Sequence, residues 1–373
     1  MIDARASSAA IVLSITGASG FLIMPVVLGA AVIELQLSES QVGFLASMLM
    51  AGSVISAISA IFWVRTVDWH HAARLALLAQ GVGLLLVTRV DGFAPAAVLF
   101  LLVSLGGGAV YSLALTVLSD HVRSERMFGY SITGQVAFQV LGLLFLGLFT
   151  LPGGFDRLML GLTALVGVGL ALASWLPRSG RTGPLVTVAD VLKQGRATLA
   201  LFGCLFFFFN VGCIWAYIER IGNAAGFAPE QLGTGLAIGV SVGMLGSLTA
   251  SWQGTRFGHL HPLIAGMLGT IVSVIFLRTD MILAGFITAV AVYNFFWNYS
   301  LTFQYAVVAA ADHSGRCVAV TPAFHAAGAA IGPAVAALLL TPGSFLAVNL
   351  LAIASVVISM LLFVPAARGP RGP

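Results

Sequence analysis

From Ser104 to Gly142 the chain runs as two apolar segments, the first carrying Gly106-Gly107-Gly108, joined by the charged turn Asp120-His121-Val122-Arg123-Ser124-Glu125-Arg126. So short a turn between runs of membrane length predicts an antiparallel helical hairpin, because a backbone in lipid must satisfy its own hydrogen bonds. About 190 residues later the pattern returns as Asp312-His313-Ser314-Gly315-Arg316, and Arg316, His325 and Gly332 keep the spacing of Arg126, Gln135 and Gly142. The same offset superposes Ser40-Gln41-Val42-Gly43 on Glu230-Gln231-Leu232-Gly233. One offset at two separate places predicts two copies of one six-helix unit, in which Gln135 and His325 hold equivalent positions.

Composition agrees, since 59% hydrophobic and 8% charged residues leave too little polar surface to cover a soluble core. An all-α integral membrane protein is expected, with twelve transmembrane helices at roughly 9–33, 41–63, 74–90, 94–118, 128–151, 158–177, 197–220, 231–252, 260–278, 281–308, 317–340 and 344–365. The expected organisation is a six-helix bundle over 1–177, a polar cytoplasmic linker over 178–196 and a second six-helix bundle over 197–373. Of the 17 basic residues, 13 fall on the side of the termini under this topology, with only Arg89, Arg157, Arg220 and Arg278 opposite, so both termini are expected in the cytoplasm. Trp63, Trp69, Trp175 and Trp252 are expected as interfacial anchors, and the run Phe206 to Phe209 as packing or lipid-facing bulk. Glu34, Glu219, Arg220 and Asp280 are expected at water-accessible outer helix ends. Cys204, Cys213 and Cys317 have no metal-ligand spacing and read as packing residues.

The chain resembles the major facilitator superfamily in its 12-helix form. The residues that carry the resemblance are Leu37-Ser38-Glu39-Ser40-Gln41-Val42-Gly43, Leu105-Gly106-Gly107-Gly108, the charged turns at Asp120 and Asp312, and Gly328-Ala329-Ala330-Ile331-Gly332-Pro333. The resemblance spans nearly the whole chain and is specific for fold more than for substrate. Between helices 2 and 3, where the family usually has G-x-x-x-D-R-x-G-R-R, only Asp68 matches, and Arg74 lies one place beyond. The second copy keeps Arg256 and Gly258 but has Thr255 in place of the acid. The resemblance implies two six-helix bundles and alternating access, with helices 4, 5, 7, 10 and 11 bordering a central cavity.

Polar side chains within membrane helices mark where a substrate can be held. Helix 5 presents Ser131, Gln135, Gln139 and Gly142 at helical spacing, and helix 10 presents Asn294, Asn298, Thr302 and Tyr305 with Trp297 on a neighbouring stripe. Tyr111 in helix 4 and Asn210, Trp215 and Tyr217 in helix 7 complete the expected substrate-binding set. Interhelical hydrogen bonding, worth about 0.6 kcal/mol per contact, is the structural alternative for any one of them. His325 is the ionisable residue expected well inside a helix. An ordinary histidine pKa near 6.5 suits it to proton coupling, while a packed, hydrogen-bonded histidine is the other reading. Asp68, Arg74, Asp120, Arg123, Arg126, Arg256, Asp312 and Arg316 are the expected cytoplasmic gate, with Asp120 pairing with Arg123 or Arg126.

No Arg, Lys, Asp or Glu is expected at mid-membrane depth, so the expected substrate is a small neutral, zwitterionic or weakly charged organic molecule with an apolar or aromatic part. Catalytic, ATP-binding and metal-ligand motifs do not occur in the sequence. The expected protein is therefore a secondary active transporter of the cytoplasmic membrane and not an enzyme. No cofactor and no nucleic acid are expected, and its partners would be the substrate, the bilayer and protons around a monomer. A drug or metabolite efflux pump is the nearest alternative. A scramblase, a receptor and a membrane-embedded enzyme are the alternatives of a different class.

Overall fold

The computed structural model describes residues 4–121, 124–179, 195–254, 256–311, 316–341 and 344–367. The chain divides into two compact units, Met1–Leu185 and Val186–Pro373.

The first unit contains α1 (Ala4–Leu22), α2 (Met24–Leu35), α3 (Glu39–Trp63), α4 (Trp69–Val87), α5 (Phe93–Ser119), α6 (Ser124–Leu144), α7 (Leu146–Phe149) and α8 (Gly154–Leu172), the last ending in a 3-10 turn, Ala173–Trp175. The second contains α9 (Arg196–Ala224), α10 (Pro229–Gln253), α11 (Leu260–Phe276), α12 (Leu283–Ala311), α13 (Arg316–Leu339) and α14 (Leu346–Ala367). With α1–α2 and α6–α7 each forming one interrupted segment, these fourteen helices make twelve segments. Among the described residues ten helices are long and apolar enough to cross a membrane, and this is a multi-pass membrane protein. The 29-residue α12 is not one of the ten, because Tyr293, Asn294, Asn298, Tyr299, Gln304 and Tyr305 dilute its apolar character.

The first expected helix is broken at Ile23 because Pro25 opens α2 and cannot donate to a preceding carbonyl. The third begins earlier than expected, at Trp69, because the Asp68 carboxylate caps it by accepting the His70 and His71 amide N–H groups at 2.9 and 3.2 Å. Trp69 is accordingly no interfacial anchor. It is fully buried, and its indole N–H donates to the Val64 carbonyl at 2.6 Å, pinning the turn between α3 and α4. The repeated Gln41 and Gln231 also have a local explanation. Each side chain reaches back to accept the backbone N–H three residues earlier, of Ser38 at 2.9 Å and of Ala228 at 3.0 Å, and so starts its helix.

Consecutive residues on a helix point about 100° apart, so Gly106-Gly107-Gly108 lets three neighbours approach α5 at once. A β-carbon at Gly106 would lie 2.5 Å from the Ala76 carbonyl of α4, one at Gly107 2.8 Å from the Gly17 carbonyl of α1, and one at Gly108 2.5 Å from Ser53 of α3. Helix α5 is thus the hub of the first unit, packed on α1, α3 and α4. In the second unit α9 packs on α13 and α14, and Gly328 and Gly332 bring α13 against the α9 backbone at Leu205 and Phe209. Gly239, Gly243 and Gly246 form the face of α10 that meets α12.

Candidate functional site

In the first unit the expected polar stripe of α6 meets α1 at Ser131, which is buried, while Gln135 is half-buried. Ser131 places its hydroxyl 2.6 Å from that of Ser14, and the Gln135 amide N–H donates to the Ser131 hydroxyl at 3.0 Å. The Gln135 side chain also hydrogen-bonds the phenol of Tyr111 on α5. Tyr111, Gln135, Ser131 and Ser14 therefore form one network across three helices. Gln139 lies buried a turn further along, and Gly142 receives Ile23 at the α1–α2 break.

In the second unit, His325, Gly328 and Gly332 fall at i, i+3 and i+7 on one face of α13, the face whose glycines meet α9. The imidazole is buried and stacks on Phe208 with ring centroids 4.0 Å apart, while Tyr305 of α12 meets it edge-on at 5.4 Å. Phe208 and Trp215, seven residues apart on α9, both touch Trp297, which also contacts Tyr293 at 6.3 Å. Behind Tyr293, the Asn210 amide N–H donates to its phenol oxygen at 3.2 Å. Among the described residues His325 Nε2 and Asn210 Oδ1 have no hydrogen-bond partner despite their burial. Such atoms carry a desolvation cost that a bound polar group or a water would relieve. The run Phe206 to Phe209 is therefore more than lipid-facing bulk, because Phe208 forms one wall of this cluster.

Three other expected site residues lie apart from the aromatic cluster. The Asn294 and Asn298 amide N–H groups donate along their own helix to the Val290 and Asn294 carbonyls, each at 2.9 Å, and both side chains lie against the Gly239 and Gly243 face of α10. Tyr217 packs on Phe345 with ring centroids 6.0 Å apart. Glu219, expected to reach water, is only 2% exposed, with the Arg220 guanidinium 3.9 Å away.

Of the expected gate residues, Asp120 makes a 2.6 Å ion pair with Arg65 at the end of α3, a partner that sequence reasoning missed. Asp68 is committed to its cap and to His71, whose ring nitrogen is 3.3 Å away, and Arg74 is exposed. Desolvation pushes the Asp68 carboxyl up, but the His71 and His70 amides together with the His71 imidazole outweigh it and hold it below the usual carboxylate value. Arg256 lies 5.0 Å over the exposed Trp252 ring, a cation–π contact. Arg123 and Asp312 fall outside the described residues, as do the side chains of Arg126 and Arg316.

By sequence, no family model and no curated protein matches the chain. Its structure is similar to that of a bacterial homolog of the human lysosomal transporter Spinster in an inward-facing, occupied conformation, with a TM-score of 0.72 at 15% identity over 98% of this chain and 96% of that one. It is also similar to the nucleoside transporter NupG, with a TM-score of 0.71 at 12% identity over 98% of both chains, and to the D323A mutant of NupG, with a TM-score of 0.75 at 12% identity over 97% of this chain and 100% of that one. The fold is the major facilitator fold. Within that fold, Tyr111 and Gln135 meet in the first unit and Tyr305 and His325 in the second, so each unit sets a tyrosine against the residue that the 190-residue offset makes equivalent.

Proposed function

We propose that this protein is a secondary active transporter that moves a small neutral, zwitterionic or weakly charged organic molecule across the cytoplasmic membrane by alternating access. The observation that carries this reading is the pair of polar and aromatic clusters, half-buried Tyr111 and Gln135 with Ser131, and buried His325 with Phe208, Trp215, Trp297 and half-buried Tyr305. The buried imidazole nitrogen, without a partner among the described residues, is a place where a polar group of a ligand could be received. Aromatic walls with few polar atoms suit a ligand that has a flat apolar part and one or two hydrogen-bonding groups. His325 is the proton-coupling residue in this reading, and the charged turns at Asp120 and Asp312 belong to the cytoplasmic gate.

Uptake by purified protein in proteoliposomes tests the proposal. Uridine is the first solute to try, since NupG, which shares the fold, is a nucleoside transporter. Saturable, voltage-clamped uptake of uridine or of another neutral aromatic solute is expected. It should fall at least tenfold in Gln135→Leu and Trp297→Ala while membrane yield stays near the parent's. Uptake at parental rates in both variants would show that the clusters are packing only.

A further inference from the structure

A second site lies in the first unit, and neither Tyr111 nor Gln135 lines it. A groove of about 500 Å³ runs between α4 and α5. Small-molecule sites span roughly 300–1,000 Å³. Asp68, Ala72, Ala76 and Ala79 fall at i, i+4, i+8 and i+11 on the face of α4 that lines it, and the three alanines give it depth. Leu105, Gly106 and Ala109 of α5 form its floor, and Trp63 and Val67, just before Asp68 in the chain, add a wall. From residue 68 to residue 79 an α-helix rises about 16 Å, long enough for an alkyl chain or a ring system to lie along it. Leu75, also in the lining, is 72% exposed, so the groove opens at the surface of the unit.

Asp68 stands at the head of that stripe, and among the lining residues it is the only Asp, Glu, Lys or Arg. Its carboxylate does its structural work through one oxygen. Oδ1 accepts the His70 and His71 amide N–H groups and lies 3.3 Å from the His71 ring nitrogen. Among the described residues Oδ2 has neither a hydrogen bond nor an ion pair, and the side chain is 31% exposed. Although desolvation opposes it, the His71 and His70 amides and the His71 imidazole hold the carboxyl below its usual value, which keeps it ionised at neutral pH. Arg65 is paired with Asp120 at 2.6 Å, and Arg74, six residues along α4, falls on the opposite face. The charge presented to the groove is therefore negative. Half-buried Trp63 commits its indole N–H to the Ser59 hydroxyl at 3.2 Å, so what it offers a ligand is the π-face of its ring. A carboxylate and an indole face at one end of an apolar channel select an organic cation, through ion pairing and the ring quadrupole.

We propose that this groove binds a lipophilic monovalent cation, with an ammonium head held by the Asp68 carboxylate and the Trp63 indole and its apolar body along Ala72, Ala76 and Ala79. The assignment does not depend on the transport reading.

Native mass spectrometry of the purified protein in non-ionic detergent tests it. The probes are decyltrimethylammonium, decyldimethylamine oxide, which has the same chain without net charge, and decyl sulfate. The ammonium should bind one-to-one about tenfold more tightly than the amine oxide, with the sulfate weakest, the combined effect expected of one half-exposed ion pair and one cation–π contact. Asp68→Asn keeps an N-cap while removing the charge, and should bring the ammonium within about threefold of the amine oxide. Ala76→Leu fills the groove and should weaken both probes, and Ala79→Leu replaces it if that variant fails to fold. Equal affinity for the three probes, or an ammonium preference undiminished in Asp68→Asn, would overturn the charge assignment. Displacement of the ammonium by an equal concentration of phosphatidylethanolamine would overturn it in favour of a zwitterionic lipid headgroup. One-to-one binding unchanged in the groove-filling variants would overturn the location.

Discussion

The ion pair between Arg65 and Asp120 couples the end of α3 to the end of α5, and its strength can be worked out from its geometry. The nitrogen and oxygen are 2.6 Å apart, and the side chains are 28% and 7% exposed. At that distance the gross attraction is about 6 kcal/mol for an effective dielectric constant near 20. Desolvation offsets most of it, and charge-assisted hydrogen bonds retain about 1.5–3 kcal/mol net. Because the guanidinium is more than a quarter exposed, the low end, about 1.5 kcal/mol, is expected. Both residues make further interactions, so single substitutions would report more than the pair. A double-mutant cycle with Arg65→Gln, Asp120→Asn and both together subtracts these contributions. Read as melting temperature in detergent, at about 2–4 °C per kcal/mol for a unit of this size, the coupling should be about 3–6 °C. Additive effects, with a coupling under about 1 °C, would refute the reasoning.

Gly106→Ala should lower the melting temperature by the equivalent of about 1–3 kcal/mol, because the new β-carbon meets the α4 backbone at Ala76 and Gln80. Gly161→Ala, with nothing within 4 Å of the added carbon, should be neutral or should gain up to about 1 kcal/mol of helix propensity. Thermal unfolding of the two variants side by side checks both signs. The Asp68 cap should be pH-sensitive: with the folded-state carboxyl held below its usual value, its contribution is full above the unfolded-state pKa and fades as the pH falls through the folded-state pKa. The melting temperatures of Asp68→Ala and the parent should accordingly differ at pH 7 and converge in acid, and a constant difference would show that the charge plays no part.

Apolar run length, the 190-residue repeat and the turn chemistry made the fold legible in the sequence, since each depends on local residue type. What was not legible depends on which face of a helix meets which neighbour. Asn294 and Asn298 read as a polar stripe, yet their positions fall on the side where α10 presents Gly239 and Gly243, so they serve that interface. Trp297 is one place from Asn298 and hence about 100° round the helix, which turns it toward Phe208 and Trp215 instead. Phe208 was hidden in a run of four phenylalanines, although its seven-residue spacing to Trp215 was a signal that the two share a face. Arg65 could not be found as the partner of Asp120 because the pair is 55 residues apart and joins two helix ends that only tertiary packing brings together.

The equivalence of Gln135 and His325 leads to a sharper test of His325. The shared spacing places each polar group near the first helix of its own unit, but the chemistry differs. Gln135 is a neutral amide tied to Ser131 and Tyr111, whereas His325 is an imidazole between Phe208 and Tyr305 with Nε2 unpartnered among the described residues. A glutamine in place of His325 would copy the first unit's solution, keeping hydrogen-bonding capacity while removing an ionisable group. Losing the Phe208 stack should cost about 0.5–1.5 kcal/mol, too little to unfold a chain held by twelve packed segments. His325→Gln is therefore expected to bind substrate within about threefold of the parent. It should also transport at a rate that no longer responds to an imposed proton gradient. His325→Leu, which lacks the hydrogen bond, should lose binding at every pH. Transport by His325→Gln that keeps the parent's response to the gradient would assign proton coupling to another group and leave His325 as a binding residue alone.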